Sequence, residues 1–216
     1  MPAGLKRTIR RAIVALGVLA IGVAAILVAG QHPFPAASFE FQQYREWGGT
    51  LIATPYPALA IPRQGLPWLL VGPGKHGVVD MRPLDGREVK LTGERIIRGD
   101  NHMIEMIGQP SALSNAIAQP VPDIELGEVQ LTGEVVDSKC YFGVMNPGAG
   151  KVHRDCAVRC ISGGIPPAFL VRDASGNAVT VLLANWRRDL LHHIAESVNI
   201  HGRLVRSTGR LILYQE

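Results

Sequence analysis

The sequence predicts a mainly β protein, in which one N-terminal transmembrane helix is followed by two small β-barrels in tandem. Three observations predict this fold. An uncharged apolar run covers residues 12–30, and two later segments repeat one strand pattern at constant spacing. Between Gly, Pro, Asp and Asn turns, apolar and polar residues alternate with the period of two that is typical of antiparallel strands.

The apolar run, residues 12–30, is long enough to cross a membrane once. As a helix rising about 1.5 Å per residue it spans roughly 28 Å, close to the bilayer core of about 30 Å. Four basic residues precede it: Lys6, Arg7, Arg10 and Arg11. The positive-inside rule keeps this flank in the cytoplasm and sends the chain after Gln31 to the periplasmic side of the inner membrane. A signal peptide cleaved after Gly30 is the alternative.

The charge of the chain argues against a nucleic-acid partner. The net charge is +4, from 22 Lys and Arg against 18 Asp and Glu, and the four basic residues before the apolar run account for the surplus. The exported part is therefore neutral and lacks the excess of cations that phosphate binding requires.

The predicted partners are the inner membrane, through residues 12–30, and other membrane or periplasmic protein subunits.

The internal repeat predicts two copies of one fold. Each copy reads as a strand with a central glycine, a polar turn and a closing strand. Together with the strands before it, each copy is typical of a five-stranded OB-like barrel with one glycine bend at a corner. Three pairs of positions carry the match: Val89 and Val198, Gly93 and Gly202, and Ile104 and Leu213.

The boundaries follow from this repeat and from composition. Residues 1–30 form the cytoplasmic flank and the anchor, and residues 31–37 form a stalk. The first OB-like barrel covers residues 38–107. A linker with three prolines, residues 108–125, leads to the second OB-like barrel, residues 126–216.

One stretch of the second barrel contains every cysteine of the chain. Cys140, Cys156 and Cys160 lie there together with His153. Thiolates and imidazole are the ligands that Zn²⁺ and Cu⁺ prefer in proteins. The sequence therefore predicts a tetrahedral metal site with these four ligands, with zinc as the cofactor and copper less favoured.

Two other interpretations of these cysteines stay open. An exported domain can hold a disulfide, but three is an odd number and one thiol would be left over. Alternatively, Cys156 and Cys160 form the working pair of a thiol-redox or copper-handling protein. The His and Met ligands typical of a dinuclear copper centre are missing after Cys160.

One soluble segment, Trp186–Ala195, has the apolar spacing of an α-helix, and Asn185 is placed to cap it. This helix carries His192 and His193, which are additional candidate ligands.

A glycine-rich segment, Gly72–Gly77, is similar to a phosphate-binding loop. It lacks the required spacing of glycines and lysine, and no helix pattern follows it. We therefore expect a turn that exposes Lys75 and His76.

Motifs in residues 128–216 add a family resemblance. The motifs are Gly133-Glu-Val-Val-Asp-Ser-Lys-Cys140, His153-x-x-Cys-Ala-x-x-Cys-Ile-x-Gly163 and Val198-x-Ile-x-Gly202. This pattern resembles a family of small exported bacterial OB-like domains with D-S-x-C and C-A-x-x-C landmarks. The resemblance implies an OB-like fold with a shared Cys/His site, and it carries no reaction.

The predicted function is that of an accessory or binding subunit of a membrane-associated assembly. The sequence shows no Ser-His-Asp arrangement, no spaced pair of carboxylates that can be singled out and no haem-attachment motif. These absences favour binding over catalysis, although a fold alone does not specify a function.

Overall fold

The computed structural model describes residues 2–31 and 36–216. It confirms the predicted fold class, since a long apolar helix precedes two closed five-stranded barrels. The helix and the β-rich part are two compact units. Residues 32–35 of the predicted stalk lie outside the described residues.

Helix α1, Ala3–Ala29, contains residues 12–29 of the predicted apolar run and all four basic residues that precede it. It is long and apolar enough to span a membrane, and none of its most apolar window is buried in the protein. Exposed apolar side chains along a helix of this length need a non-aqueous environment. The helix therefore fits membrane anchoring.

The first barrel closes through strands of very different length. Its strands are β1 (Ala37–Phe39), β2 (Arg45–Ile52), β3 (Ala58–Ala60), β4 (Trp68–Val71), β5 (Arg87–Arg98) and β6 (Asn101–Ile117). The order β5-β2-β3-β4-β6 is closed by pairing of β6 with β5, and β1 adds to the edge of β5. All neighbours are antiparallel except β4 and β6.

The second barrel repeats this order. Its strands are β7 (Ile124–Asp137), β8 (Pro167–Arg172), β9 (Ala178–Ala184), β10 (Ser197–Ser207) and β11 (Arg210–Gln215). They close in the order β10-β11-β9-β8-β7, with β9 and β11 parallel. In both barrels, therefore, the third and fifth strands form the parallel pair.

Gly93 and Gly202 occupy equivalent places on the fourth strand of each barrel, as the repeat predicts. A Cβ on Gly93 would lie 2.5 Å from the carbonyl oxygen of Glu105 on the next strand. A Cβ on Gly202 would collide with the carbonyl of Tyr214 in the same way. Both glycines permit the close approach of the fourth and fifth strands.

The predicted linker, residues 108–125, is largely strand. β6 continues to Ile117 because its second half still pairs with β5, and β7 begins at Ile124. Of the described residues between these strands, only 118–123 lack regular structure. The prolines at 120 and 122 lie in this short connection, whereas Pro110 is tolerated within β6.

One apolar cluster joins the two barrels. From the first barrel it takes Ala58, Leu69, Val71, Ile96 and Met103, and from the second it takes Val136, Cys140, Tyr141, Phe142, Cys160, Ile165, Ala168, Leu170, Leu182, Ala184 and Ile212. The guanidinium of Arg98 lies 4.4 Å from the centre of the Tyr141 ring. The cysteine segment is thus buried between the barrels.

The predicted α-helix at residues 186–195 is wrong. The structure has a 3₁₀ segment, Arg188–His193, because Asn185 (φ 53°) and Ala195 (φ 67°) adopt left-handed backbone conformations that bracket it. The α-helix after α1 is instead α2, Arg154–Ser162, which lies between β7 and β8.

Candidate metal and thiol site

Three cysteines meet at the end of strand β7. β7 ends at Asp137 and leads into a short helical turn that begins at Cys140, whereas α2 carries Cys156 and Cys160 one turn apart on one face. The three Sγ atoms all lie within 4.8 Å of one another. All three cysteines are among the described residues and carry free thiols, and only Cys156 is partly exposed.

The spacing of the trio suits a metal ion. Zinc–thiolate bonds of about 2.3 Å place two sulfurs of a tetrahedral site about 3.8 Å apart. The Sγ atoms of Cys140 and Cys156 are 3.9 Å apart. Cys140 and Cys156 therefore have the spacing of two zinc ligands, and Cys160 Sγ lies within 4.8 Å of both.

His153 lies beside this trio in an adjacent group. Its Nε2 atom is 2.9 Å from Asp137 Oδ2, and the two side chains are 3% and 0% exposed. The other oxygen of Asp137 accepts a hydrogen bond of 2.7 Å from the backbone N–H of Cys140. Asp137, Cys140 and His153 form a second group with ligand atoms within 4.8 Å, so Cys140 belongs to both groups.

The additional candidates, His192 and His193, are exposed on the 3₁₀ segment. His193 Nδ1 lies 3.1 Å from Glu196 Oε2, and the carbonyl of His192 accepts a hydrogen bond from Arg154. Across residues 2–31 and 36–216, neither histidine joins a group of candidate ligands with a cysteine. The structure does not bring them to the site.

Lys75 belongs to the site, which the sequence did not predict. Its Nζ atom lies 2.8 Å from Cys156 Sγ and 3.8 Å from Cys160 Sγ. The segment 72–77 is a turn, as expected, but it packs against the end of α2, where the N–H of Gly77 donates to the carbonyl of Gly163 over 2.9 Å. The first barrel therefore contributes a cation to the cysteine site of the second.

Lys139 fixes the turn 72–77 through hydrogen bonds to its backbone. Its side chain is 2% exposed, and Nζ lies 2.6 Å from Glu105 Oε2. Nζ also donates hydrogen bonds to the carbonyls of Gly72 and Gly74, over 2.9 and 2.6 Å. A buried ammonium needs such partners. The contacts of Lys139 with Glu105, Gly72 and Gly74 thus stabilise the position of the turn that brings Lys75 to the cysteines.

The thiols of the trio differ in acidity. A hydrogen bond from the Cys140 thiol and the nearby charge of Lys75 lower the pKa of Cys160 to about 7, although burial acts in the opposite direction. The same thiol–thiol hydrogen bond and burial raise the pKa of Cys140. The hydrogen bond to Cys156 raises the pKa of Lys75. Without a metal, the site therefore favours one thiolate beside a lysine ammonium.

Asp137 and Lys139 were also not predicted as site residues. Both stand in the segment that leads to Cys140, so the available signal was a run of polar residues directly after the apolar pair Val135-Val136 at the end of β7. Comparisons with protein-family models, with curated proteins and with solved structures find no match to this chain. The function is therefore inferred from the geometry of the site.

Proposed function

We propose that this protein is a membrane-anchored, periplasm-facing accessory protein that binds a soft metal ion, preferably zinc, through Cys140, Cys156 and Cys160. The observation that carries the proposal is the convergence of three Sγ atoms within 4.8 Å in a largely buried site. Thiolates select soft and borderline ions, and three of them leave one position of a tetrahedral ion for a fourth ligand.

His153 is the best candidate for that fourth position. Histidines that bind metals usually share their second ring nitrogen with a carboxylate, which fixes the orientation of the ring. The contact of His153 Nε2 with buried Asp137 has this form, so Nδ1 would be the ligating atom. Among the described residues, His153 shares a group of candidate ligands with Cys140 but not with Cys156 or Cys160, so its ring would have to move towards the trio to ligate. The resemblance of residues 128–216 to exported OB-like domains supports a shared Cys/His site.

The N-terminus supports a site placed outside the cytoplasm. The basic residues of α1 precede its apolar part, which favours a cytoplasmic N-terminus. The barrels then face the periplasm, tethered beside other membrane proteins. An accessory subunit that holds an ion and contacts a larger assembly fits this arrangement.

Elemental analysis and a thiol count on the full chain in detergent test this proposal. We expect one zinc ion per chain, with metal lost in Cys140→Ser, Cys156→Ser and Cys160→Ser. Asp137→Asn should weaken binding about 10- to 100-fold, as expected for a group that orients a ligand. His192→Gln is the matched control and should bind normally. A protein that takes up no metal at any zinc concentration, with three titratable thiols, contradicts the proposal.

A second candidate function is thiol redox chemistry. The observation that favours it is the partly exposed Cys156 in the first turn of α2, 2.8 Å from the Lys75 ammonium. A helix N-terminus and a neighbouring cation both favour a reactive thiolate. Equilibration in glutathione buffers separates the two functions. A metal-free protein with a reversible Cys156–Cys160 disulfide would favour redox chemistry.

A further inference from the structure

The contact between Lys75 and Cys156 joins two residues that both remain accessible. Each side chain is partly exposed, so a small oxidant can reach the Nζ and Sγ atoms. Their separation of 2.8 Å leaves room for one atom bonded to both.

This contact is fixed by the backbone around it. The turn that carries Lys75 is held by the Lys139 hydrogen bonds and by the hydrogen bond from Gly77 to Gly163. A Cβ on Gly163 would collide with the carbonyl of Lys75, so the turn lies directly against the end of α2. Two groups held at contact distance react as if at very high local concentration.

We propose that Lys75 and Cys156 form an oxidative modification site, at which one oxygen atom links Nζ to Sγ. The reactants are the Lys75 ammonium, the Cys156 thiolate and one molecule of dioxygen. The N–O and O–S bonds form, while the O–O bond and two N–H bonds break. The second oxygen atom leaves as water with those two hydrogens. Nitrogen and sulfur each give up two electrons, and dioxygen takes up all four.

A disulfide between Cys140 and Cys156 is the competing product. Its two sulfurs are 3.9 Å apart, so this bond requires a larger approach than the lysine contact does. Lys75 is therefore the first partner of an oxidised Cys156.

The bridge acts as a redox switch on metal binding, a consequence that rests on the proposed function. Cys156 in the bridge is no longer a thiolate, so the trio is reduced to two ligands. Two molecules of a dithiol reverse the reaction, giving the lysine amine, the cysteine thiol, one water and two cyclic disulfides. Because Lys75 comes from the first barrel, the oxidised site also joins the two barrels covalently.

Mass spectrometry of the full chain in detergent tests the modification. The protein is stripped of metal with a chelator, and one sample is exposed to air while another stays under nitrogen with dithiothreitol. In air we expect a linked pair of peptides containing Lys75 and Cys156. The pair should be heavier than the two free peptides by one oxygen less two hydrogens, and dithiothreitol should separate it.

Two variants serve as matched controls. Lys75→Arg keeps the positive charge and should abolish the linked pair, whereas Lys151→Arg makes the same change at an exposed lysine outside the site and should retain it. A disulfide from Cys156 to Cys140 or to Cys160 in aerated wild type, or three alkylated thiols, overturns the inference. Zinc binding is measured on the same samples. Zinc uptake by the reduced sample, with no linked pair in the aerated sample, refutes only the modification. A linked pair in air, with no zinc uptake by the reduced sample, refutes only the metal function.

Discussion

Replacing Lys139 with methionine removes a buried cation that connects the two barrels. Its ammonium lies 2.6 Å from Glu105 and also donates to the carbonyls of Gly72 and Gly74. Methionine is unbranched and of similar length, so it fills the space with little cavity. The loss in stability should therefore come from the unpaired groups that remain.

The size of the loss follows from burial. Removing one partner of a buried ion pair destabilises a protein by about 3–5 kcal/mol, because the other charge stays without compensation. Glu105 is 13% exposed, which places Lys139→Met near the low end, at about 3 kcal/mol. Adding Glu105→Gln removes the stranded charge. The double variant should lie within about 1–2 kcal/mol of wild type, the remainder coming from the two carbonyls.

Urea unfolding of the full chain in a non-denaturing detergent measures these changes. Trp47 and Trp68 report on the first barrel and Trp186 on the second. Lys151→Met is the matched control, since Lys151 is exposed, and it should change stability by less than about 0.5 kcal/mol. A single Lys139 variant as stable as this control would refute the reasoning, as would a double variant no more stable than the single one.

Three further predictions follow from the described contacts. Gly93→Ala should destabilise the protein by about 1–3 kcal/mol, because its Cβ would lie 2.5 Å from the Glu105 carbonyl oxygen. Gly48→Ala is the control: its nearest contact would be 3.9 Å away, so stability should change by less than about 1 kcal/mol. In metal-free protein, ultraviolet thiolate absorbance should show one thiol with a pKa of about 7, assigned to Cys160, and Cys140→Ala should raise it by removing the donor. A C-terminal reporter that works only outside the cytoplasm should be active, and the protein should stay in membranes after a high-salt wash. A soluble periplasmic form without α1 would show that the helix is a cleaved signal.

The strands of both barrels could be predicted from sequence because their signals are local. Alternating apolar residues mark one buried face, and Gly93 and Gly202 mark the places where the fourth and fifth strands approach closely. The same local pattern misled at Trp186–Ala195. Apolar spacing suited an α-helix there, but the structure has a 3₁₀ segment flanked by left-handed backbone at Asn185 and Ala195.

The cysteine trio was predictable for a related reason, since its members are close in sequence and share a preference for metals. Lys75 was not, because 81 positions separate it from Cys156, and a lysine in a glycine-rich turn reads as exposed. The partner of a surface turn depends on how two barrels pack. Apolar periodicity predicts which face of a strand is buried, but it does not predict which other segment packs against that face.

The segment Asp137-Ser138-Lys139 still contained a usable signal. All three side chains are polar and at most 2% exposed, and they directly follow the buried pair Val135-Val136 at the end of β7. Charges in such a place must be paired, so the sequence implied that some other segment supplies an anion and hydrogen-bond acceptors to Lys139. In the structure Glu105 and the turn before Lys75 supply them. The turn that supplies the hydrogen-bond acceptors for Lys139 also carries Lys75, whose ammonium contacts Cys156. The first barrel is therefore part of the site.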